Sequence, residues 1–556
     1  MRALRRLERI RTDFGGELAG ERLVLLRELE RARLPSAAAV RRLHEVLCFA
    51  RAYPDDAAVL AQVTRMLEGF ARRADLRRHA AALADSGIAG TAIRYPFFAE
   101  TAAWLAERFP SELGLDWEVL DDAQEQRLLD RLDPLVHYSE TPGLDEADFS
   151  LKGWLARLKG PDEGEGAFLA RRFAALEADP FLREAYYDEL GLSLVLAPGP
   201  GTPSRTTAHA RFARGEPVFQ RGALRHARPE LRAALARAPR VVELSRSEGA
   251  RMIALAREAM ITRTRDLDVF AYGDPRDVRR VECEDGLAFV AIGFRPERRL
   301  LLEAVYGFLT LKNGVPIGYV LNSALFGSAE VAYNVFESFR GGEAAHVYGW
   351  VLATVRHLFG VDAFTVYPYQ LGHENEEGLA SGAWWFYQRL GFRPRERGAL
   401  ALMQSELARQ RRDPRHRSSR AVLVRLAAHN VYYSLGRARR DVIGEVALGR
   451  IGLAASAHLA RRFGAERERG ARTCAHEAAR RFGLRSFAGW SAAERLAWNR
   501  WAPLLVQFPR VERWSRAEKR AALAAVRAKG GRRESDFVCL FDGHPKLRAA
   551  LLALAR

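Results

Sequence analysis

Apolar residues recur at helical spacing through most of the first 195 positions. Between Pro54 and Gly87, Val59, Val63, Met66, Leu67 and Phe70 fall on one face, and Asp55 and Asp56 precede them as helix-start residues. The opening MRALRRLERIRTDFGGE has no apolar h-region and reads as an amphipathic helix. Together these patterns predict a helical N-terminal region over residues 1–200. Two loops interrupt it: the acidic Gly160-Pro-Asp-Glu-Gly-Glu-Gly166, and Ala197-Pro-Gly-Pro-Gly-Thr-Pro-Ser204, whose prolines lack the amide proton that a ladder needs.

From about residue 238 the period changes. A short strand, Arg240 to Leu244, leads into an amphipathic helix through Met252, Ile253, Leu255 and Ala256. Strand-like runs follow over 287–294, 300–311, 317–325 and 330–339, with Asn313-Gly314 as a hairpin turn between two of them. A helix over 344–359 is stopped by Gly360, a strand over 363–369 contains Pro368, and a second helix runs from about Leu379 to Leu390. The expectation for 238–403 is an α+β unit with a mixed, mostly antiparallel sheet and packed helices.

After Arg411-Arg-Asp-Pro-Arg-His-Arg-Ser-Ser-Arg420, read as a basic linker, residues 404–556 return to helices. Ser491 with Glu494 and Ser515 with Glu518 form capping boxes. All-α regions are thus expected on both sides of the sheet.

Charge sharpens this division. The 556 residues carry a formal +18, yet residues 401–556 hold 33 basic and 13 acidic side chains, so the excess belongs to the C-terminal region alone. Arginine accounts for 81 of the 87 basic residues, and codon preference explains that choice of residue but not its uneven placement. A polyanion such as nucleic acid is the partner this suggests. Trp490, Trp498, Trp501 and Trp514, interleaved with those arginines, read as core residues of a helical bundle. No apolar stretch is long enough for a membrane span, so no membrane partner is expected. Cys48, Cys283, Cys474 and Cys539 lie far apart without a CxxC, which suggests a reducing, cytoplasmic location and no metal site.

Candidate chemistry lies in the nearly neutral part. The segment Glu337-Ser-Phe-Arg340 enters Gly341-Gly342-Glu343-Ala344-Ala345 at a helix start, where unpaired amides converge and an anion can sit. Farther on comes Gly382-Ala-Trp-Trp-Phe-Tyr387-Gln-Arg-Leu-Gly391-Phe392. On their own, Tyr387, Trp384 and Trp385 read as an aromatic core stripe.

This arrangement resembles the GCN5-related N-acetyltransferase (GNAT) superfamily. There, a strand leads into a pyrophosphate loop of pattern Arg/Gln-x-x-Gly-x-Gly/Ala, and a later helix ends in Tyr-x-x-x-Gly-Phe. Tyr387, Gly391 and Phe392 have the second spacing. A frame starting at Arg340 places Glu343 at the first glycine and Ala345 at the last; a frame starting at Phe339 restores Gly342 and Ala344. Ala380 stands where the family has an asparagine, with Asn375 in the preceding loop as its substitute.

The resemblance implies an N-acyltransferase that moves an acyl group from acetyl-CoA or another acyl-CoA to an amine acceptor. Amides of Gly341, Gly342, Ala344 and Ala345 would bind the pyrophosphate, with Arg340 adding charge. Tyr387 would protonate the departing thiolate. Glu337 is the first choice to take the proton from the incoming ammonium, ahead of Glu330, Glu374 and His373. A negative charge on Glu343 beside a pyrophosphate would be repulsive by about 1 to 4 kcal/mol per charge pair at ~4 Å, so its orientation decides whether the loop binds coenzyme A. The alternative is a non-catalytic GNAT-like scaffold whose basic C-terminal region binds nucleic acid.

Overall fold

A computed structural model describes residues 1–210 and 216–556. The chain divides into two compact units: Met1–Leu224 with Arg251–Tyr272 and Lys312–Ile317, and Arg225–Ala250 with Gly273–Leu311 and Gly318–Arg556.

The first unit is mainly helical, as its periodicity predicts. Val59, Val63, Met66, Leu67 and Phe70 are all buried, and Asp56 caps their helix by accepting the Val59 amide at 2.8 Å. Yet the region is not all-α. Ile93–Tyr95, Leu113–Leu115 and Leu194–Leu196 form an antiparallel sheet with the last strand in the middle. Leu113, Leu115, Leu194 and Leu196 join Phe97, Leu105, Phe168 and Phe173 in one core. Strands of three residues are too short to show a period of two, so their sequence reads as helix or loop.

The second unit contains a nine-stranded sheet: β1 (Arg240–Glu243), β2 (Gly273–Glu282), β3 (Leu287–Phe294), β4 (Ala304–Lys312), β5 (Val315–Leu325), β6 (Ser328–Val335), β7 (Ala363–Val366), β8 (Arg393–Pro394) and β9 (Val431–Ser434). Their order is β8-β9-β7-β6-β5-β4-β3-β2-β1. β4 and β5 are joined by Asn313 and Gly314, both left-handed (φ 47° and 76°), as a tight two-residue hairpin turn requires. β6 and β7 pair in parallel and are connected by helix α1 (Ala344–Phe359), which ends at left-handed Gly360. The fold is therefore α+β with a mixed, mostly antiparallel sheet, as expected.

The boundary at residue 403 does not survive. β9 inserts between β8 and β7 and pairs antiparallel with both, so the sheet is completed only at Ser434. The helix expected to reach Leu390 breaks at Gly382 (φ 67°) into α2 (Glu376–Ser381) and α3 (Ala383–Arg389). Nor is 411–420 a linker: it is an anchored turn between α4 (Arg397–Arg412) and α5 (Arg420–Ala427), where the buried Glu406 carboxylate accepts from Ser418 at 2.6 Å and pairs with His416 at 2.9 Å.

After the sheet, this unit continues in α6 (Leu448–Phe463), α7 (Arg467–Phe482), α8 (Ala492–Leu505), α9 (Arg516–Lys529), α10 (Glu534–Asp542) and α11 (Pro545–Leu554). Both capping boxes form. Trp498 and Trp501 are fully buried, their indoles donating to the carbonyls of Ala475 and Leu301. A buried polar group ties these helices to the sheet. Tyr306 donates to Asp277 at 2.5 Å, Asp277 accepts the Glu534 amide at 3.1 Å, and Lys529 pairs with Glu534 at 2.6 Å. Among the described residues no helix is long and apolar enough to cross a membrane.

Candidate functional site

β6 and β7 stay paired for three residues, Ser328 with Ala363, Ala329 with Phe364 and Glu330 with Thr365, and then part. β6 continues to Val335, whereas β7 stops at Val366 and Pro368 opens a short helical turn, Pro368–Leu371. Proline fits that first helical position because its missing amide would be unpaired there anyway. The end of β6 borders a cleft of about 400 Å³, whose other walls are the Arg340 loop, α2 and α3.

Of the loop residues named for anion binding, Arg340, Gly341 and Ala344 line this cleft, and Gly342 and Ala345 do not. Gly341 takes φ 81°, a left-handed conformation that favours glycine, and its added Cβ would meet nothing within 4 Å, so backbone geometry rather than crowding selects the residue. Gly341 and Ala344 line the cleft. Among the described residues, the amides of Gly341, Ala344 and Ala345 have no acceptor, as expected at the start of a helix. Gly342 differs: it is buried, and its amide reaches the Phe339 carbonyl at 3.4 Å. Arg340 also lines the cleft and forms an ion pair with Glu377 of α2, both side chains half-exposed.

Glu343 points away. Its carboxylate is buried and accepts the backbone amide of Arg225 at 3.1 Å. The loop thus borders the cleft with Gly341 and Ala344 while its one acid is engaged elsewhere.

Tyr387 lines the opposite wall. Its ring packs edge-on against Tyr348 and Phe392, with centroids 5.5 and 6.0 Å away, and its hydroxyl has no hydrogen-bond partner among the described residues. Burial pushes the phenol well above its ordinary value, so it stays protonated. The Tyr-x-x-x-Gly-Phe spacing has a physical cause: left-handed Gly391 (φ 107°) turns the chain back, the Phe392 amide returns to the Tyr387 carbonyl at 3.2 Å, and Phe392 is fully buried beside the tyrosine. Tyr387 is thus part of the aromatic core on one side and borders the cleft on the other.

The choice of Glu337 is corrected. The strand predicted through Phe339 ends at Val335, and Glu337 is the exposed first residue of a turn of 3₁₀ helix, outside the cleft lining. His373 and Glu374 are exposed and also outside it. Glu330 also lies outside that lining, but it stands on β6 at the last residue pair before the strands part, three residues before the cleft residue Tyr333. Burial and the neighbouring Glu303 carboxylate push it up to about 7, although Ser323, within 3.4 Å of both carboxylates, opposes the shift. Asn375 lies on the cleft but serves α2 as its cap, accepting the Gly378 amide at 3.0 Å and donating to the Tyr369 carbonyl at 3.0 Å.

Asn334, Gln370 and Ser381 also line the cleft, and no motif marks them. Away from it, Glu284, Asp285 and His346 approach one another closely enough to suggest a cation site. Arg225 pairs with both carboxylates, at 2.7 and 2.8 Å, and Arg237 approaches Glu284 at 3.3 Å, so the cluster is already neutralised by guanidinium. No family model matches the chain, and it matches no curated protein and no solved structure.

Proposed function

We propose that the protein is an N-acyltransferase of GNAT type, moving an acyl group from an acyl-CoA thioester to an amine. The observation that carries this reading is one cleft that combines parting parallel strands, unpaired amides at a helix start, and a protonated phenol.

In this reading the amides of Gly341, Ala344 and Ala345 bind the pyrophosphate, assisted by Arg340. The unpaired edge of β6 beyond Glu330 offers backbone groups to the pantetheine arm, as strand edges do to extended ligands. The amine nitrogen attacks the thioester carbonyl, the C–N bond forms and the C–S bond breaks. Glu330, acting through water, takes the first proton that the ammonium must lose; Tyr387 donates its proton to the departing thiolate and is reprotonated by the second proton, which the nitrogen sheds as the amide forms. A carboxyl near 7 suits a base at neutral pH better than one near its ordinary value. A reducing, cytoplasmic setting is part of the proposal, supported by four free cysteines.

Calorimetric titration with acetyl-CoA and longer acyl-CoAs tests the reading. Saturable binding that Gly341→Val weakens is expected, and the absence of binding and of a thermal shift for every acyl-CoA would overturn it.

A second reading applies to the basic C-terminal region and is supported by exposed arginines with no carboxylate partner among the described residues, including Arg411, Arg412, Arg415, Arg461, Arg472 and Arg480. It takes a polyanion, for which nucleic acid is the proposed partner.

A further inference from the structure

A second cleft, of about 310 Å³, lies beside β8 and β9, with Pro368, Arg395, Asn430, Tyr432 and Glu445 among its walls. The ladder registers relate it to Glu330. Glu330 pairs with Thr365 on β7, and Thr365 pairs with Tyr432 on β9, so the three stand in one row across the sheet and share a face. Accordingly, Thr365 and Tyr432 donate to successive carbonyls of one crossing segment, Ile443 at 2.8 Å and Gly444 at 3.1 Å. Tyr333, three residues beyond Glu330, takes the opposite face, where it packs on Tyr348 of α1 and lines the first cleft. The two clefts therefore lie on opposite faces of the sheet. They meet at one turn, where Pro368 borders the second and Gln370 the first.

The second cleft carries a fixed cation. The Arg395 guanidinium lies 4.2 Å from the centre of the Tyr432 ring and donates to the Arg439 carbonyl at 2.8 Å. Glu445 is 3.8 Å away, too far for a hydrogen bond, which leaves the other N–H groups of Arg395 without an acceptor among the described residues. Such N–H groups, held side by side, suit a carboxylate. Tyr432 is itself held through its hydroxyl, which accepts from the Asn430 amide group at 3.2 Å. Asn430 also donates to the Gly444 carbonyl at 3.2 Å, so its side-chain oxygen is left to accept. Glu396 caps α4 through the Ala399 amide and stands 3.8 Å from His429, so that acid is already engaged. Glu445 and the Asn430 oxygen favour a positive group. A ligand that answers both ends carries a carboxylate and an ammonium.

We propose that this cleft holds the acyl acceptor and that the acceptor is an amino carboxylate, its carboxylate on Arg395 and its amine directed along the row toward Glu330. The inference rests on the acyltransferase reading and names the substrate class of that site. Glu330 and Tyr432 are two strand spacings apart, roughly 10 Å, so the reacting nitrogen stands several bonds from the carboxylate, as the ε-amine of free lysine does. The volume of about 310 Å³ accommodates a molecule of that size.

The test is calorimetric titration of the full chain with lysine and with cadaverine, which has the same reach but no carboxylate. Lysine should bind about tenfold more tightly than the diamine or better. Arg395→Met, which keeps an unbranched stem over Tyr432, should weaken lysine by about the same factor and leave the diamine unaffected. If that variant melts early, Arg395→Lys keeps the charge without the paired donors and should still weaken lysine several-fold. With acetyl-CoA present, lysine should speed the release of the coenzyme A thiol, and mass spectrometry should find the acetyl group on the ε-nitrogen. Lysine binding that both variants leave intact, or no lysine binding in a chain that binds acetyl-CoA, overturns the acceptor cleft alone. A chain that binds no acyl-CoA loses the acceptor role together with the acyltransferase reading, whatever lysine does.

Discussion

The Glu343 carboxylate accepts the backbone amide of Arg225 at 3.1 Å, and this contact engages the one acid of the loop that borders the cleft with Gly341 and Ala344. Because the charge is directed away, Glu343→Gln should leave acetyl-CoA affinity within about threefold of wild type, since a glutamine oxygen can accept the same amide. Glu343→Ala leaves that amide without its acceptor and should cost about 1 kcal/mol of stability, measured by urea denaturation.

Tyr387 has packing partners for its ring and none for its hydroxyl among the described residues. Tyr387→Phe should therefore leave the melting temperature nearly unchanged. Turnover with a competent acceptor should fall about 100-fold while acyl-CoA affinity holds, the signature of a lost proton donor. Unchanged turnover would remove the phenol from the mechanism.

Glu330 makes a pH prediction. An unfolded glutamate titrates near ~4.3, whereas burial and Glu303 push this one up to about 7. Between these values the folded chain keeps a proton that the unfolded chain has released. The group's contribution to stability is thus fully present below about pH 4.3 and is lost as pH rises through about 7. Denaturation free energies of Glu330→Gln should show a flatter decline across that window than wild type. The same variant should lose the rise of the transfer rate through neutral pH.

Legibility from sequence followed the physical origin of each signal. α1, β3, β5 and the Asn313-Gly314 turn were readable because their apolar period or backbone demand is local. β2 was not, because its GDPRDVRRVE sequence is charged; Asp277 and Arg279 are nevertheless buried in a polar network closed by residues far along the chain. Glu337 was misplaced because Phe336 carries the apolar run one residue past Val335, the last ladder pair, and hides the end of the strand. The Gly391-Phe392 turn was visible as a motif, whereas Asn334, Gln370 and Ser381 reach the cleft through tertiary placement alone.

Lys529 and Glu534 are 4% and 0% exposed and pair at 2.6 Å. Lys529→Met would leave a buried carboxyl group without its partner and should cost about 3 to 5 kcal/mol. Replacing both residues with apolar groups should recover much of that loss. Urea denaturation of the two variants checks the difference, and equal loss in both would show that the pair contributes little beyond packing.

The position of β9 also has a consequence for synthesis. When the ribosome has translated the segment around residue 403, β7 and β8 exist but the strand that separates them does not, because Val431–Ser434 is still to come. Until then the edge of β7 presents unpaired backbone groups, the kind of surface that recruits foreign strands. The intervening helices α4 and α5 with their arginine-rich turn are made during this interval, and their charge offers the nascent chain a deterrent to self-association before the sheet is closed.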